Sequence, residues 1–120
     1  MIRIVTESMS DFTQEEAKAA DLIVMPLPIR FGMEEYWDDG VSLTQDDFYA
    51  RLRVAKELPK TSQVPVEHYR KCFNRLLENP EDEVLVITGS SKLSGCYQSA
   101  CIAREACHDP ARVTVLDSLN

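Results

Sequence analysis

The segment Val84–Ser99, which reads VLVITGSSKLSGCYQS, constrains the fold more than any other stretch of the 120-residue chain. Its first part, Val84–Ile87, is an apolar run of the kind that forms a strand buried on both faces of a sheet. A small polar loop follows, and from about Leu93 the spacing of apolar residues predicts a helix that reaches about Ala106. In α/β proteins, ligands bind at such strand-to-helix connections, beyond the carboxyl ends of the strands.

The loop carries hydroxyl donors at the point where the predicted helix begins. Ser90, Ser91 and Ser94 lie there, and the start of a helix adds unpaired N–H groups and a partial positive charge. Both features suit an anion, so this segment predicts an anion site built from neutral donors. The residues alone leave open whether the anion is a carboxylate or a phosphate.

Composition excludes several classes of function. The formal net charge is −7 and no run of Lys and Arg exceeds two residues, which argues against a nucleic-acid surface. No apolar stretch approaches the roughly 20 residues of a membrane span, and the amino terminus lacks the apolar core of a signal peptide. We therefore expect one cytoplasmic domain at most, with no stable membrane insertion.

The cysteines predict neither a metal site nor a redox motif. Cys72, Cys96, Cys101 and Cys107 contain no pair with C-x-x-C spacing. In a cytosolic protein such residues are most often small buried apolar side chains. No metal and no cofactor is expected.

Strand and helix patterns alternate along the rest of the chain. Strands are predicted at Ile2–Thr6, Leu22–Leu27 and Val113–Leu116, with a small hairpin of Ile29–Phe31 and Glu35–Trp37. Helices are predicted after the capping residues Thr13 and Thr44, and from the spacing of Val66, Tyr69, Phe73 and Leu76. This order predicts an α/β fold, with a mostly parallel sheet covered by helices on both faces and a small β-hairpin.

Three polar loops follow elements that could converge: Thr6–Ser10, Thr61–Gln63 and Ser90–Ser94. Ser and Thr commonly cap helices and form turns, and for each loop alone that interpretation stays open. Two of the loops have a further feature. Pro59 and Pro65 limit the conformations of Thr61–Gln63, and Ser90–Ser94 lies where a strand gives way to a helix.

Known catalytic patterns fit these loops poorly. Gly89 and Gly95 are not spaced as in a P-loop, and Cys96 stands where its lysine is required. No G-x-S-x-G pattern is present, and neither histidine lies where a base for a serine nucleophile is expected. No catalytic residue is predicted. A serine hydrolase or phosphate-binding enzyme using Ser94 or Ser91 is the alternative.

Several motifs resemble those of the DegV family of bacterial fatty-acid-binding proteins. They are Val5–Asp11, Tyr36–Val41, Pro59–Gln63, Ser90–Ala100 and Val115–Ser118. The T-S-Q and L-S-G-x-Y-Q-S-A pieces are specific, and the resemblance extends over the whole chain. It implies that residues 1–120 form the amino-terminal α/β domain of a two-domain protein, an incomplete one because the second domain is absent.

The resemblance also implies a ligand, a site and a partner. Such a protein binds one long-chain fatty acid and presents it to a separate fatty acid kinase subunit, which converts the carboxylate to an acyl phosphate for phospholipid synthesis. Hydroxyls carried over by motif as carboxylate-binding are Thr61, Ser62 and Ser94, with Ser8, Ser91 and Gly95 as possible support. The protein is then a lipid-binding carrier and not an enzyme. An inactive fragment that binds nothing is a further alternative.

The chain departs from the family's pattern near these loops. Glu7, Met9, Lys92 and Cys96 stand where the family usually has Asp, Thr, Gly and Thr. None of these positions coincides with the three carboxylate-binding hydroxyls, so we expect carboxylate binding to survive. Apolar residues that line either a tunnel or the core are Met25, Ile29, Phe31 and Met33, with the core preferred for each.

Overall fold

A computed structural model describes residues 1–10, 12–38, 44–54, 58–92 and 94–118. Strands and helices alternate through these residues almost in the predicted order. The strands are β1 (Ile2–Glu7), β2 (Leu22–Met25), β3 (Pro28–Phe31), β4 (Glu34–Trp37), β5 (Lys60–Thr61), β6 (Glu83–Thr88) and β7 (Val113–Asp117). The α-helices are α1 (Gln14–Ala19), α2 (Gln45–Val54), α3 (Val66–Leu76) and α4 (Cys96–Ala106). None of the helices described is long and apolar enough to cross a membrane.

Four strands form a parallel sheet in the order β2-β1-β6-β7. The predicted central strand, β6, lies between β1 and β7, with Val86 opposite Val5 on one side and Val115 on the other. The connection from β1 through α1 leads to β2 on one side, and the connection from β6 through α4 leads to β7 on the opposite side. Right-handed crossovers therefore place these two helices on opposite faces, which confirms the predicted fold class.

The core lies between one face of this sheet and the helices α3 and α4. Tyr69 and Phe73 of α3 are fully buried, as their helical spacing predicted. In α4 the side chains of Cys96, Ala100 and Ala103 are also fully buried. Because all three are small, α4 can approach the sheet closely. From the sheet, the core receives Val5, Val84, Val86 and Val113.

Two predicted helix caps are confirmed. Thr13 Oγ1 accepts from the N–H of Glu16 and the Glu16 carboxylate accepts from the N–H of Thr13, each at 3.1 Å. This reciprocal pair is a capping box at the start of α1. At the start of α2, Thr44 Oγ1 accepts from the N–H of Asp47 at 3.1 Å.

A second, antiparallel sheet has the order β4-β3-β5. The predicted hairpin is confirmed, and Gly32 at its turn has a positive φ of 60°. Met33 in the same turn is 100% exposed, so its assignment to the core was wrong: the turn points away from both sheets' packed surfaces. Ile29 is buried, and Phe31 packs on Phe48 of α2 with ring centroids 5.7 Å apart.

The helix that follows β6 begins later than predicted. It starts at Cys96 and not near Leu93. Leu93 lies outside the described residues, as does Gly40 of the motif Tyr36–Val41. The N–H of Ser94 bonds to the carbonyl of Ser90 at 3.0 Å, so a separate turn precedes the helix. The two-residue strand β5 was also not predicted.

The amino edge of the parallel sheet is held together by charged groups. Arg112 donates to the carbonyls of Leu77, Asn79 and Asp82 at 2.9–3.0 Å. The buried Asp82 carboxylate lies 3.5 Å from the amino group of Met1. These contacts join the end of α3 to the starts of β1, β6 and β7.

Candidate functional site

Hydrogen bonds between hydroxyls and carbonyls join the carboxyl ends of three strands. Thr6 Oγ1 of β1 donates to the carbonyl of Ile87 in β6 at 2.9 Å. Thr88 Oγ1 of β6 donates to the carbonyl of Leu116 in β7 at 3.3 Å, and the N–H of Ser118 donates to the Thr88 carbonyl at 3.2 Å. These bonds fix the carboxyl ends of β1, β6 and β7, from which the polar loops extend.

We call residues 90–92, 94 and 95 the serine loop. Hydrogen bonds to its hydroxyl and N–H groups hold it in place. Ser90 is 2% exposed, and its Oγ accepts from the N–H of Lys92 at 3.2 Å. The N–H of Ser91 donates to a carboxylate oxygen of Asp117 at 3.1 Å. Ser94 Oγ accepts from the N–H of Cys96 at 3.2 Å. A hydroxyl that accepts one bond still has its proton to donate, so Ser94 retains a donor for a ligand.

The T-S-Q segment, Thr61–Gln63, is presented differently. Thr61 belongs to β5 and pairs with Ile29, and the N–H of Ser62 donates to the carbonyl of Pro28 at 3.3 Å. The side chains of Thr61, Ser62 and Gln63 are exposed. Within the part of the chain that the structure describes, neither the Thr61 nor the Ser62 hydroxyl makes a hydrogen bond, so both have a proton to donate to a ligand.

The T-S-Q segment and the serine loop contact each other. The Gln63 side chain lies over Gly95, so closely that a Cβ at Gly95 would overlap its Oε1 and lie 2.7 Å from its Cδ. The N–H of the buried Val64 donates to Cys96 Sγ at 3.4 Å. The segment that carries Thr61 and Ser62 therefore lies against the loop that carries Ser94. Of these three predicted residues, Ser94 borders the cavity described below, and Thr61 and Ser62 are not among its lining residues. Gln63 itself was not predicted as a site residue, because its contact with Gly95 depends on the tertiary fold.

The first polar loop, Thr6–Ser10, is tied to neighbouring segments by two buried side chains. Ser8 is buried, and its Oγ accepts from the N–H of Leu27 at 3.0 Å, which joins the end of β1 to the start of β3. Glu7, the last residue of β1, is 1% exposed, and its Oε1 accepts from the N–H of Gly89 at 3.2 Å. Ser8 and Glu7 thus join the end of β1 to the residue before β3 and to the residue after β6.

Two further buried polar side chains adjoin Glu7. Burial raises the pKa of the Cys96 thiol, and the neighbouring Glu7 carboxylate raises it further. Burial also raises the pKa of the Tyr69 hydroxyl, with smaller contributions from Cys96 and Glu7. Sequence reasoning missed this cluster, although a glutamate at the end of a buried strand is an unusual residue that signals it.

An open cavity of about 560 Å³ lies beside Ser94. Its lining residues come from the serine loop and the first two turns of α4: Ser91, Ser94, Gly95, Tyr97, Gln98 and Cys101. The pKa of Tyr97 is raised by its hydrogen bond with Cys101. No group of three His, Cys, Asp or Glu residues among those described is placed to hold a metal ion. The site as described consists of neutral hydrogen-bond donors around an open cavity.

This fold defines an α/β domain with an open cavity, and so a candidate binding site, at the carboxyl edge of a parallel sheet. A model of the family described as "uncharacterised protein, DegV family" matches residues 1–120. The chain belongs to the DegV family.

Similar proteins extend this assignment. A DegV domain-containing protein of Caldanaerobacter subterraneus is 39% identical over 117 residues, which cover 98% of this chain and 40% of the relative. The fatty acid-binding protein of Thermotoga maritima is 35% identical over 125 residues, 98% of this chain and 41% of the relative. The solved structure of a stearic acid-binding protein from Eubacterium ventriosum superposes with a TM-score of 0.87 at 32% identity, over 98% of this chain and 41% of that one. The chain thus spans about two fifths of the length of these relatives.

Proposed function

We propose that the protein binds a long-chain fatty acid, whose carboxylate accepts hydrogen bonds from Thr61, Ser62 and Ser94, and presents it to a kinase subunit for acyl-phosphate formation. The observation that carries this proposal is the contact of Gln63 with Gly95, which brings the T-S-Q segment against the serine loop. Ser91 and Gly95 border the same cavity and support the ligand's carboxylate end.

The names of two relatives support the choice of ligand. The Thermotoga maritima relative is called a fatty acid-binding protein, and the Eubacterium ventriosum structure is described as a stearic acid-binding protein. The chemistry agrees with a carboxylate, because an ionised carboxylate only accepts hydrogen bonds and the site offers hydroxyl donors. Hydrogen bonds to a charged group each contribute about 1.5–3 kcal/mol, so a few neutral donors suffice.

The exposure of the T-S-Q segment supports presentation to a second protein. Phosphorylation of the carboxylate requires that one of its oxygens be reached by the phosphoryl donor. Thr61 and Ser62 lie at the surface, so a carboxylate bound by them faces outward. A kinase subunit can then reach the carboxylate without the acyl chain leaving its site.

The contacts of Ser94 favour a carrier over a serine hydrolase. A serine nucleophile requires a neighbouring base to take its proton. Among the described residues, the groups next to the Ser94 hydroxyl are the N–H and the thiol of Cys96. Neither is a base at neutral pH, since burial raises the pKa of that thiol.

Native mass spectrometry of the purified full-length protein, followed by solvent extraction and lipid analysis, tests the proposal. We expect close to one fatty acid per chain and at least a tenfold loss of affinity, about 1.4 kcal/mol, in the double variant Thr61→Ala/Ser94→Ala. Thr114→Ala, which removes an exposed hydroxyl from β7, serves as the matched control. Unchanged fatty-acid affinity in the double variant would contradict the carboxylate assignment. Failure of a kinase subunit to form acyl phosphate from the loaded protein would contradict the presentation step.

A further inference from the structure

We propose that Glu7 is a positioning residue: its buried carboxylate holds the serine loop through Gly89 and the T-S-Q segment through Cys96, and so sets the spacing of the hydroxyls in the two loops. This inference rests on the proposed function, since it names the group that aligns the donors of that site.

The first link joins Glu7 to the serine loop. Glu7 Oε1 accepts from the N–H of Gly89 at 3.2 Å, and Gly89 directly precedes Ser90. A carboxylate that accepts from a backbone N–H forms a charge-assisted bond, which is stronger than a bond between neutral groups. The loop is therefore held at the point where it leaves β6.

The second link joins Glu7 to the T-S-Q segment through Cys96. The Cys96 thiol adjoins the Glu7 carboxylate, and its sulfur accepts from the N–H of Val64 at 3.4 Å. Val64 directly follows Gln63, so the position of this sulfur fixes the end of the T-S-Q segment. Both Cys96 and Val64 are fully buried, and neither contact is exposed to competing solvent.

The burial of the carboxylate itself argues for a positioning role. Glu7 is 1% exposed, and its Oε2 accepts no hydrogen bond from the residues that the structure describes. Burial of an ionised carboxylate is strongly unfavourable unless neighbouring groups compensate. The polar groups next to it are the Cys96 thiol and the Tyr69 hydroxyl, and this hydroxyl likewise has no hydrogen-bond partner among the described residues. The hydrogen bond of the Glu7 side chain to the N–H of Gly89 therefore fixes where this buried carboxyl group lies beside the Cys96 thiol.

Amide hydrogen exchange measured by NMR on the ligand-free protein tests both links without any fatty acid. Glu7→Asp keeps the charge but withdraws the carboxylate by one methylene. We expect the Gly89 and Val64 amides to exchange at least about tenfold faster in this variant. Glu7→Gln keeps an acceptor for the N–H of Gly89 and adds a donor toward Cys96. We therefore expect the Gly89 and Val64 amides to be almost as protected in this variant as in the wild type. Ser99→Ala removes another fully buried polar group that has no hydrogen-bond partner among the described residues, and should change neither amide.

A double-variant cycle then distinguishes positioning from general support of the fold. If Glu7 aligns the two loops, Thr61→Ala should reduce fatty-acid affinity several-fold less in the Glu7→Asp background than in the wild type. Additive losses would overturn the proposal, as would faster exchange at Gly89 with Val64 unchanged. Should Glu7→Asp not fold, the variant Cys96→Ala tests the second link instead. We expect the Val64 amide to exchange faster in this variant and the Gly89 amide to stay protected. The opposite pattern would refute the second link. A wild-type protein that binds no fatty acid refutes the proposed function instead, since the exchange results do not depend on ligand.

Discussion

The serine loop and the T-S-Q segment carry the same kind of donor but are built in opposite ways. In the serine loop the hydroxyls of Ser90 and Ser94 already accept hydrogen bonds from nearby backbone N–H groups. In the T-S-Q segment the backbone is held by β3, while the hydroxyls of Thr61 and Ser62 are exposed and make no hydrogen bond among the described residues. The serine loop therefore uses its hydroxyl oxygens to hold its own backbone, whereas the hydroxyls of the T-S-Q segment take no part in holding theirs.

This difference separates two effects that usually occur together in a binding site. Removal of a hydroxyl from the serine loop should reduce both the stability of the fold and the affinity for the ligand. Removal of one from the T-S-Q segment should reduce affinity alone. The four predictions below test how far stability and affinity can be separated, beginning with the largest expected effect.

Thr61→Ala and Ser94→Ala should differ in stability and agree in affinity. Each removes a donor to a charged carboxylate, so we expect each to weaken fatty-acid binding about 10- to 100-fold. Ser94→Ala also leaves the N–H of Cys96 without its acceptor and should lower the free energy of unfolding by about 1 kcal/mol. Thr61→Ala should change it by less than about 0.5 kcal/mol, as is usual for exposed positions. Urea unfolding and a fatty-acid titration measure both quantities, and equal losses of stability would disprove the distinction.

Gly95→Ala and Gly32→Ala should each have a moderate effect, but for different reasons. At Gly95 the backbone φ is −84°, so an alanine is tolerated locally, while its Cβ displaces the Gln63 side chain. We expect a several-fold loss of fatty-acid affinity and a small loss of stability. At Gly32 a Cβ meets nothing within 4 Å, but φ is +60°, so the substitution should cost about 1 kcal/mol of stability and leave affinity unchanged. Unchanged affinity in Gly95→Ala would show that the position of Gln63 is irrelevant to the site.

Alkaline pH should weaken the contact between the two loops slightly. Burial raises the pKa of the Cys96 thiol, so the folded protein keeps a proton that the unfolded chain loses near pH 8.5. Stability from this group is therefore complete below about pH 8.5 and falls as the pH rises, by at most about 1.4 kcal/mol per pH unit. Burial raises the pKa of Cys72 in the same direction. We expect Cys96→Ala and Cys72→Ala each to reduce the fall in unfolding free energy between pH 7.5 and 9.5.

Only one of these two thiol variants should also affect ligand binding. Cys96 accepts from the N–H of Val64, next to the T-S-Q segment, whereas no hydrogen bond joins Cys72 to a described residue of either loop. Fatty-acid titration at pH 7.5 should therefore show weaker binding for Cys96→Ala and unchanged binding for Cys72→Ala. Equal affinities would indicate that Cys96 contributes only to the core.

Elements with strong local patterns were predicted correctly from the sequence. The spacing of apolar residues in α3 predicted its buried face, and the Thr13 capping box fixed the start of α1. The apolar run in β6 predicted an inner strand of the sheet, but its predicted burial on both faces was wrong, since Ile87 is 37% exposed and Leu85 is only partly buried. In each case neighbouring residues suffice to define the structure, because a helix cap or an amphipathic face depends on residues within one or two turns.

Features that depend on distant parts of the chain were missed. The strand β5 has two residues, too few for any periodicity, and exists because it pairs with β3. The helix α4 starts at Cys96, later than its apolar spacing predicted, because Ser94 and Gly95 are not helical. Glutamate is rarely buried, so nothing local predicts that Glu7 contacts Gly89, 82 residues away. Their composition predicted the polar loops, but it did not predict that the T-S-Q segment contacts the serine loop.

The charged contacts at the amino edge of the sheet have a consequence for how such a domain diversifies. Arg112 and Asp82 fix the starts of the strands, while the hydroxyls lie at the other end of β6, about 20 Å away for a strand of six residues. At that distance, a substitution in the polar loops removes none of the contacts that Arg112 and Asp82 make. Substitutions in the serine loop or the T-S-Q segment therefore leave these contacts intact, so the polar loops can diverge while the sheet that carries them stays unchanged.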